Sequence, residues 1–210
     1  MATLVLIGPI SAGKTTFLNS ARNKKTPEKN LPTVLAYDTF SWGVKIGGIS
    51  GKICDTSGST TLVLNKKEVL KKLMSDNNRI AFIFNGRDFL YEVEHPKEPG
   101  EISSIIKNLV LPTWEEELDR LKNNQKKLAN KQLFFIANVS NNPNDEKFYV
   151  GVNNVKERIV TAMGAANKYY SDIAKHFRYP FINYFESNSF FCIDARDFKA
   201  VQDAGNEMLK

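Results

Sequence analysis

With 210 residues, 42% of them hydrophobic and 25% charged, the chain is long enough to bury a full sheet core as one fairly large domain. No apolar stretch approaches the about 18 residues that a membrane span needs, and the net charge of +6 is scattered over short lysine runs (23–25, 65–67, 71–72 and 126–127) that read as solvated helix faces, which sets nucleic-acid binding aside. Cys54 and Cys192 lie in separate apolar runs with no spacing pattern, as in a reducing compartment.

The chain opens on "TLVLIG" (3–8), the continuous apolar run of a strand buried on both faces of a parallel sheet. A glycine-bearing loop and a short helix, about Lys14 to Arg22, come next, followed by a polar, proline-marked loop over 23–33. "VLAYDTFSWGVKI", a "GGISG" turn and "KICDTSG" predict a hairpin leading into a core strand. Apolar positions at helical spacing predict a helix over 62–76, and "RIAFIFNG" (79–86) reads as another buried strand. Residues 91–112 read as a polar, proline-rich loop. "TWEEELDRLKNNQKKLAN" (113–130) predicts an amphipathic helix, acidic in its first turn and basic in its last. "QLFFIANV" (132–139) is a strand that "SNNPND" breaks. A long helix is expected from Val155 to His176, a last strand at "FFCIDA" (190–195) and a last helix over 198–210. Strands alternating with helices predict an α/β fold with a doubly wound parallel sheet.

"GPISAGKT" satisfies the P-loop pattern of Gly, any four residues, Gly-Lys-Ser/Thr. Gly8 and Gly13 let the backbone fold so that N–H groups along Ile10, Ser11, Ala12, Gly13, Lys14, Thr15 and Thr16 turn toward phosphate. Lys14 is placed to reach the β- and γ-phosphates and the Thr15 hydroxyl to ligate Mg²⁺, while the helix starting there adds its positive dipole end. Downstream, "DTSG" puts Asp55 at a strand end, suited to hold Mg²⁺ through water, and Gly58 where its N–H meets the γ-phosphate. "LPT" puts Thr33 in a loop, suited to ligate Mg²⁺ and to sense the γ-phosphate.

In order and spacing, 19 residues from Lys14 to Thr33 and 22 from Thr33 to Asp55, these motifs resemble the Ras/Arf superfamily of small GTPases. The "AGKTT" run and the hairpin look most like the Arf branch. The resemblance implies a six-stranded, mostly parallel sheet of the P-loop NTPase type, GTP or GDP with Mg²⁺, and a protein effector or activating protein as partner. It sets "FFIANVSN" at the base-reading Asn-Lys-x-Asp motif, which puts Asn138 and Asn141 at the base. It sets "CIDARD" at the Ser-Ala-Lys motif, where the Ala195 N–H meets the purine carbonyl and Arg196 covers the base face.

Three departures modify that expectation. Val139 replaces the motif's lysine and Asn141 its aspartate, so an amide with one acceptor faces guanine's two donors, which relaxes specificity toward xanthine (XTP) or another base; Asp145 is the alternative carboxylate. Ser59 stands where the family's water-orienting glutamine belongs and is too short for that role, leaving Lys14 and Ser59 as the catalytic candidates. Ile10 would crowd the γ-phosphate, and only Arg22 and Arg87 stay open as arginine fingers in cis. Asn138 and Ala195 are 57 residues apart, and the excess length reads as insertions around 91–112, 143–155 and 178–190. The aromatics Tyr179, Phe181, Tyr184 and Phe185 fall in the last of these. The expectation is a single domain over 1–210, cytoplasmic and without a lipid anchor, since Ala2 rules out myristoylation and no prenylation box ends the chain. It would act as a Mg²⁺-dependent switch with weak hydrolysis. A pseudo-GTPase binding module is the alternative, and the dispersed arginines argue against a kinase.

Overall fold

The computed structural model describes residues 2–21, 37–39, 44–46, 49–56, 78–95, 97, 133–162 and 189–209. Its centre is β1 (Ala2–Ile7), whose Leu4, Val5, Leu6 and Ile7 are all buried, as a strand covered on both faces requires. A loop leads into α1 (Lys14–Ala21). β2 (Tyr37–Thr39), β3 (Val44–Ile46) and β4 (Ile49–Thr56) follow, then β5 (Asn78–Asn85), β6 (Leu133–Asn138) and β7 (Phe190–Ile193). These strands form one sheet in the order β2-β4-β1-β5-β6-β7, with β3 also paired to β4. β4, β1, β5, β6 and β7 run parallel to one another.

The sheet has seven strands, one more than the six expected, because the outer arm of the hairpin is two strands. β2 lies antiparallel on one end of β4, with Tyr37 opposite Thr56, and β3 on the other, with Ile46 opposite Ile49. That pairing also makes strand of Ile49–Gly51, which the sequence reads as part of a turn.

Alternation along the strands sorts side chains onto two faces. Leu4, Leu6, Ala81, Ile83, Phe134 and Ile136 form one cluster with Phe17 and Leu18 of α1 and with Val201, Ala204 and Met208 of α4 (Phe198–Leu209). On the other face Phe82 stacks on Phe135, ring centroids 5.2 Å apart, and Phe84 meets Phe89 of α2 (Gly86–Glu94) at 4.8 Å. α3, described over 155–162, buries Val155 and Ile159 and sets Lys156 over the Phe190 ring. Helices therefore cover both faces, as the alternating pattern predicts. The Arg79 guanidinium donates to the Met208 carbonyl at 2.7 Å, neutralising the C-terminal end of α4.

α2 is absent from the sequence reading, which made residues 91–94 part of a loop. It starts without any connector. Asn85 ends β5 and also caps the helix, its side chain accepting from the Arg87 and Asp88 N–H groups. Phe89, Leu90 and Val93 then supply the buried stripe. The loop over 23–33, the helices expected over 62–76 and 113–130, residues 98–112 and 163–176, and the four aromatics of the 178–190 insertion lie outside the described residues. Among the described residues, no helix is long and apolar enough to cross a membrane.

Candidate functional site

The parallel strands all end on one edge, and the order reverses at β1: the chain passes from β1 to β4 on one side and then to β5 on the other. Ligands of open α/β sheets bind outside the carboxyl ends of the strands at such a point. The loop 8–13 leaves β1 there. Gly8 (φ 154°) runs so close under β5 that a Cβ would fall 2.0 Å from the Ile83 carbonyl oxygen. Ser11 takes a left-handed φ of 59° and Gly13 a φ of 105°, and between them the Ala12 N–H turns back to the Pro9 carbonyl at 3.4 Å. Ile10, expected to crowd the γ-phosphate, is 58% exposed at the loop's outer side.

Lys14 opens α1 and is only 6% exposed. Its ammonium folds back over the loop and donates to the Gly8 carbonyl at 2.9 Å and the Pro9 carbonyl at 2.7 Å. Buried, the ammonium thus keeps hydrogen-bond partners within the loop itself. Thr15 and Thr16 follow in the first turn of the helix. Asp55, one residue from the end of β4, is in register with Leu6 of β1, so its strand position and Thr15 share the edge. A hydroxyl and a carboxylate are hard oxygen donors that suit Mg²⁺. Among the described residues no cluster of His, Cys, Asp and Glu gathers for a metal. Thr33, Gly58, Ser59 and Arg22 lie outside the described residues.

Asn138, the last residue of β6, ties this loop to the rest of the edge. Its Nδ2 donates to the Ala12 carbonyl at 3.0 Å, and its Oδ1 accepts from the Ala195 N–H, also at 3.0 Å. Gly13 must be glycine, since a Cβ there would sit 2.3 Å from Asn138 Nδ2. One buried side chain thus sets the phosphate-loop candidate against the turn after β7. Asn141, expected to read a base, is exposed.

The stretch after β6 makes a closed excursion. Ser140 pairs with Tyr149 in an isolated parallel bridge, its N–H donating to the Phe148 carbonyl at 2.7 Å and its carbonyl accepting from Val150 at 3.1 Å. Residues 141–147 bulge out and return to the same strand end. On that return, Asp145 is 8% exposed and accepts from Arg196 Nη1 at 2.5 Å, which links the excursion to the turn after β7. Lys147 reaches the loop after β1, Nζ to the Ser11 carbonyl at 2.8 Å. Burial draws the Lys147 ammonium below its usual range, with Asp88 and Asp145 pulling it back up. Asn85 Nδ2 donates to the Lys147 carbonyl at 3.1 Å, and the Arg87 guanidinium donates to the Glu146 carbonyl. Arg87, Pro143, Glu146, Lys147 and Tyr149 line a cleft of about 570 Å³ beside this contact.

The structure therefore brings Gly8, Ser11, Ala12, Gly13, Lys14, Asn138, Ala195 and Arg196 to one edge of the sheet, together with Asp145, which the sequence offers as an alternative. Lys147 was missed. It belongs to no pattern, and its one sequence signal is the break at "SNNPND" that turns the chain back. No protein-family model matches the chain, and no curated protein matches it.

Proposed function

We propose that this chain is a Mg²⁺-dependent guanine-nucleotide-binding switch on a Ras-like P-loop NTPase fold, with slow intrinsic GTP hydrolysis. The observation that carries the reading is the loop 8–15, where a buried ammonium folds back over a glycine-bearing turn that runs into the N–H end of a helix. That combination of directed donors and fixed positive charge suits a di- or triphosphate. Lys14 would exchange its carbonyl contacts for phosphate oxygens, and Thr15 and Asp55 would hold the ion. An ion held there would supply charge neutralisation to the phosphates. Thr33 and Gly58 would register the γ-phosphate, so that a protein effector meets a different surface in the triphosphate state. Serine at position 59 is too short to orient the attacking water, so intrinsic turnover is slow.

The experiment is to denature the purified protein, chromatograph the released nucleotide, and titrate the apoprotein with fluorescent GDP and GTP. The expected outcome is a retained guanine nucleotide, and a Lys14→Ala affinity lower by about a hundredfold. Equal affinities for both proteins would refute the use of this loop. The departures at Val139, Asn141 and Ser59 favour one second reading, a binding module that holds nucleotide without turnover. A single-turnover measurement separates the two, since the switch releases phosphate and the module does not.

A further inference from the structure

The chain holds one Asn-Gly pair, Asn85–Gly86, and it falls at the junction of β5 and α2. Two separate demands put it there. The last residue of β5 must cap α2, and asparagine does so by accepting from the Arg87 and Asp88 N–H groups. The next residue passes so close to the end of β6 that a Cβ would collide with the Val139 side chain and crowd Ala137, so only glycine fits. Together the two choices create a chemical liability. An asparagine side chain is open to attack by the following backbone nitrogen, and glycine has no side chain to hinder the approach.

We propose that Asn85–Gly86 is a latent deamidation site, which the fold holds closed and whose conversion permanently detaches the excursion 141–149 from α2. In the reaction the Gly86 nitrogen, having given its proton to solvent hydroxide, attacks Asn85 Cγ. The new N–C bond closes a cyclic imide as the Cγ–Nδ2 bond breaks and ammonia leaves. Water then opens the ring at either carbonyl, giving aspartate or isoaspartate at position 85.

Three features of the structure oppose the first step. Asn85 has a ψ of 109°, which turns the Gly86 nitrogen away from the Asn85 side chain. Both ends of the amide are engaged, Oδ1 on the helix N–H groups and Nδ2 on the Lys147 carbonyl at 3.1 Å. Gly86 is itself buried, away from hydroxide. All three are lost together when the start of α2 opens, so the reaction follows that opening. The products do not replace asparagine. Aspartate still caps the helix, because a carboxylate accepts N–H bonds and suits the positive end of the dipole, but it has no donor for the Lys147 carbonyl. Isoaspartate adds a backbone atom where no connecting residue can absorb it, and so also shifts Gly86 from its seat on Val139. Either product ends the hold of α2 on the excursion. None of this depends on the nucleotide reading.

The test is to age wild-type protein in mildly alkaline buffer, native and in urea, and to follow Asn85 by peptide mapping with mass detection. In urea Asn85 should convert faster than any other asparagine, and in the native protein it should convert slower by about a hundredfold or more. Val93→Ala thins the buried stripe of α2 without touching the pair, so it should speed native conversion. Urea below the unfolding transition should do the same to wild type, which serves if the variant does not fold. Converted native protein, separated by ion exchange, should show faster hydrogen exchange at Ser140 and Val150. Equal rates in native and unfolded protein overturn the proposal, as does another asparagine leading in urea. It is also overturned if the converted protein exchanges at Ser140 and Val150 as wild type does.

Discussion

Asn138 shows how one side chain decides the local architecture. It is 3% exposed, and both ends of its amide are used, one on the Ala12 carbonyl and the other on the Ala195 N–H. Truncation would leave two buried backbone groups without partners, each costing about 1–3 kcal/mol. Asn138→Ala should therefore lower stability in urea unfolding by about 2–4 kcal/mol. It should also slacken the loop after β1, so nucleotide affinity falls although no ligand contact was removed. Asn138→Asp is the informative companion. It keeps an acceptor for Ala195 and sets a carboxylate against the Ala12 carbonyl, so it should be no better tolerated than alanine. If both variants unfold like wild type, the bridge contributes nothing net.

Among the elements, α2 links packing to the site most directly. Asn85 caps it from the last position of β5, and its own Nδ2 reaches the Lys147 carbonyl. The helix then sets Phe89 on Phe84 and ends near Glu94, which pairs with Arg158 of α3 through two 2.7 Å bonds. That pair is part-exposed, so its worth is modest, about 0.5–1 kcal/mol. The cap matters more. Asn85→Ala should cost about 1 kcal/mol from the lost N-cap, and it should also loosen the excursion 141–149, because a hydrogen bond to Lys147 goes with it. Hydrogen exchange would detect this as faster exchange at Ser140 and Val150, whose N–H groups close the excursion. Unchanged exchange there would show that the Ser140 bridge alone holds the excursion.

Over the whole molecule, strand order separates what the sequence leaves adjacent only in composition. Cys54 is on β4 and Cys192 on β7, with β1, β5 and β6 between them. Four steps of about 4.8 Å put the two Cα atoms some 19 Å apart or more, far beyond the about 7 Å that a disulfide spans. Burial on the sheet face that α3 covers, together with Glu157, pushes the Cys192 thiol up to about 12, and nearby Lys156 only partly offsets this. Cys192 is therefore a neutral thiol at pH 8, and alkylation of the native protein should be far slower than in the urea-unfolded chain. The same shift has a stability consequence. The unfolded thiol ionises from about pH 9 and the folded one only near 12, so stability should fall as pH rises through that window, by up to about 1.4 kcal/mol per unit. Rapid native-state alkylation at pH 8 would contradict the burial.

Local chemistry determined much of this protein without help from the fold. The runs "TLVLIG", "RIAFIFNG" and "QLFFIANV" are apolar throughout, which only a strand covered on both faces tolerates, and each became a central strand of the sheet. "GPISAGKT" dictated its loop because the glycines supply backbone angles that other residues avoid and the helix begins at Lys14. Other features depended on contacts between distant segments. α2 was hidden because Asn85 serves strand and helix at once, so no turn punctuates the sequence between them. The split of the outer arm into two strands depended on where each piece pairs with β4, a register that periodicity cannot reveal. Asp145 and Lys147 acquired their partners, Arg196 and the Ser11 carbonyl, only when the chain folded back at Ser140. A motif records residues a fixed number of positions apart. Across 136 positions of sequence, only the closed sheet brings a lysine to the loop that it touches.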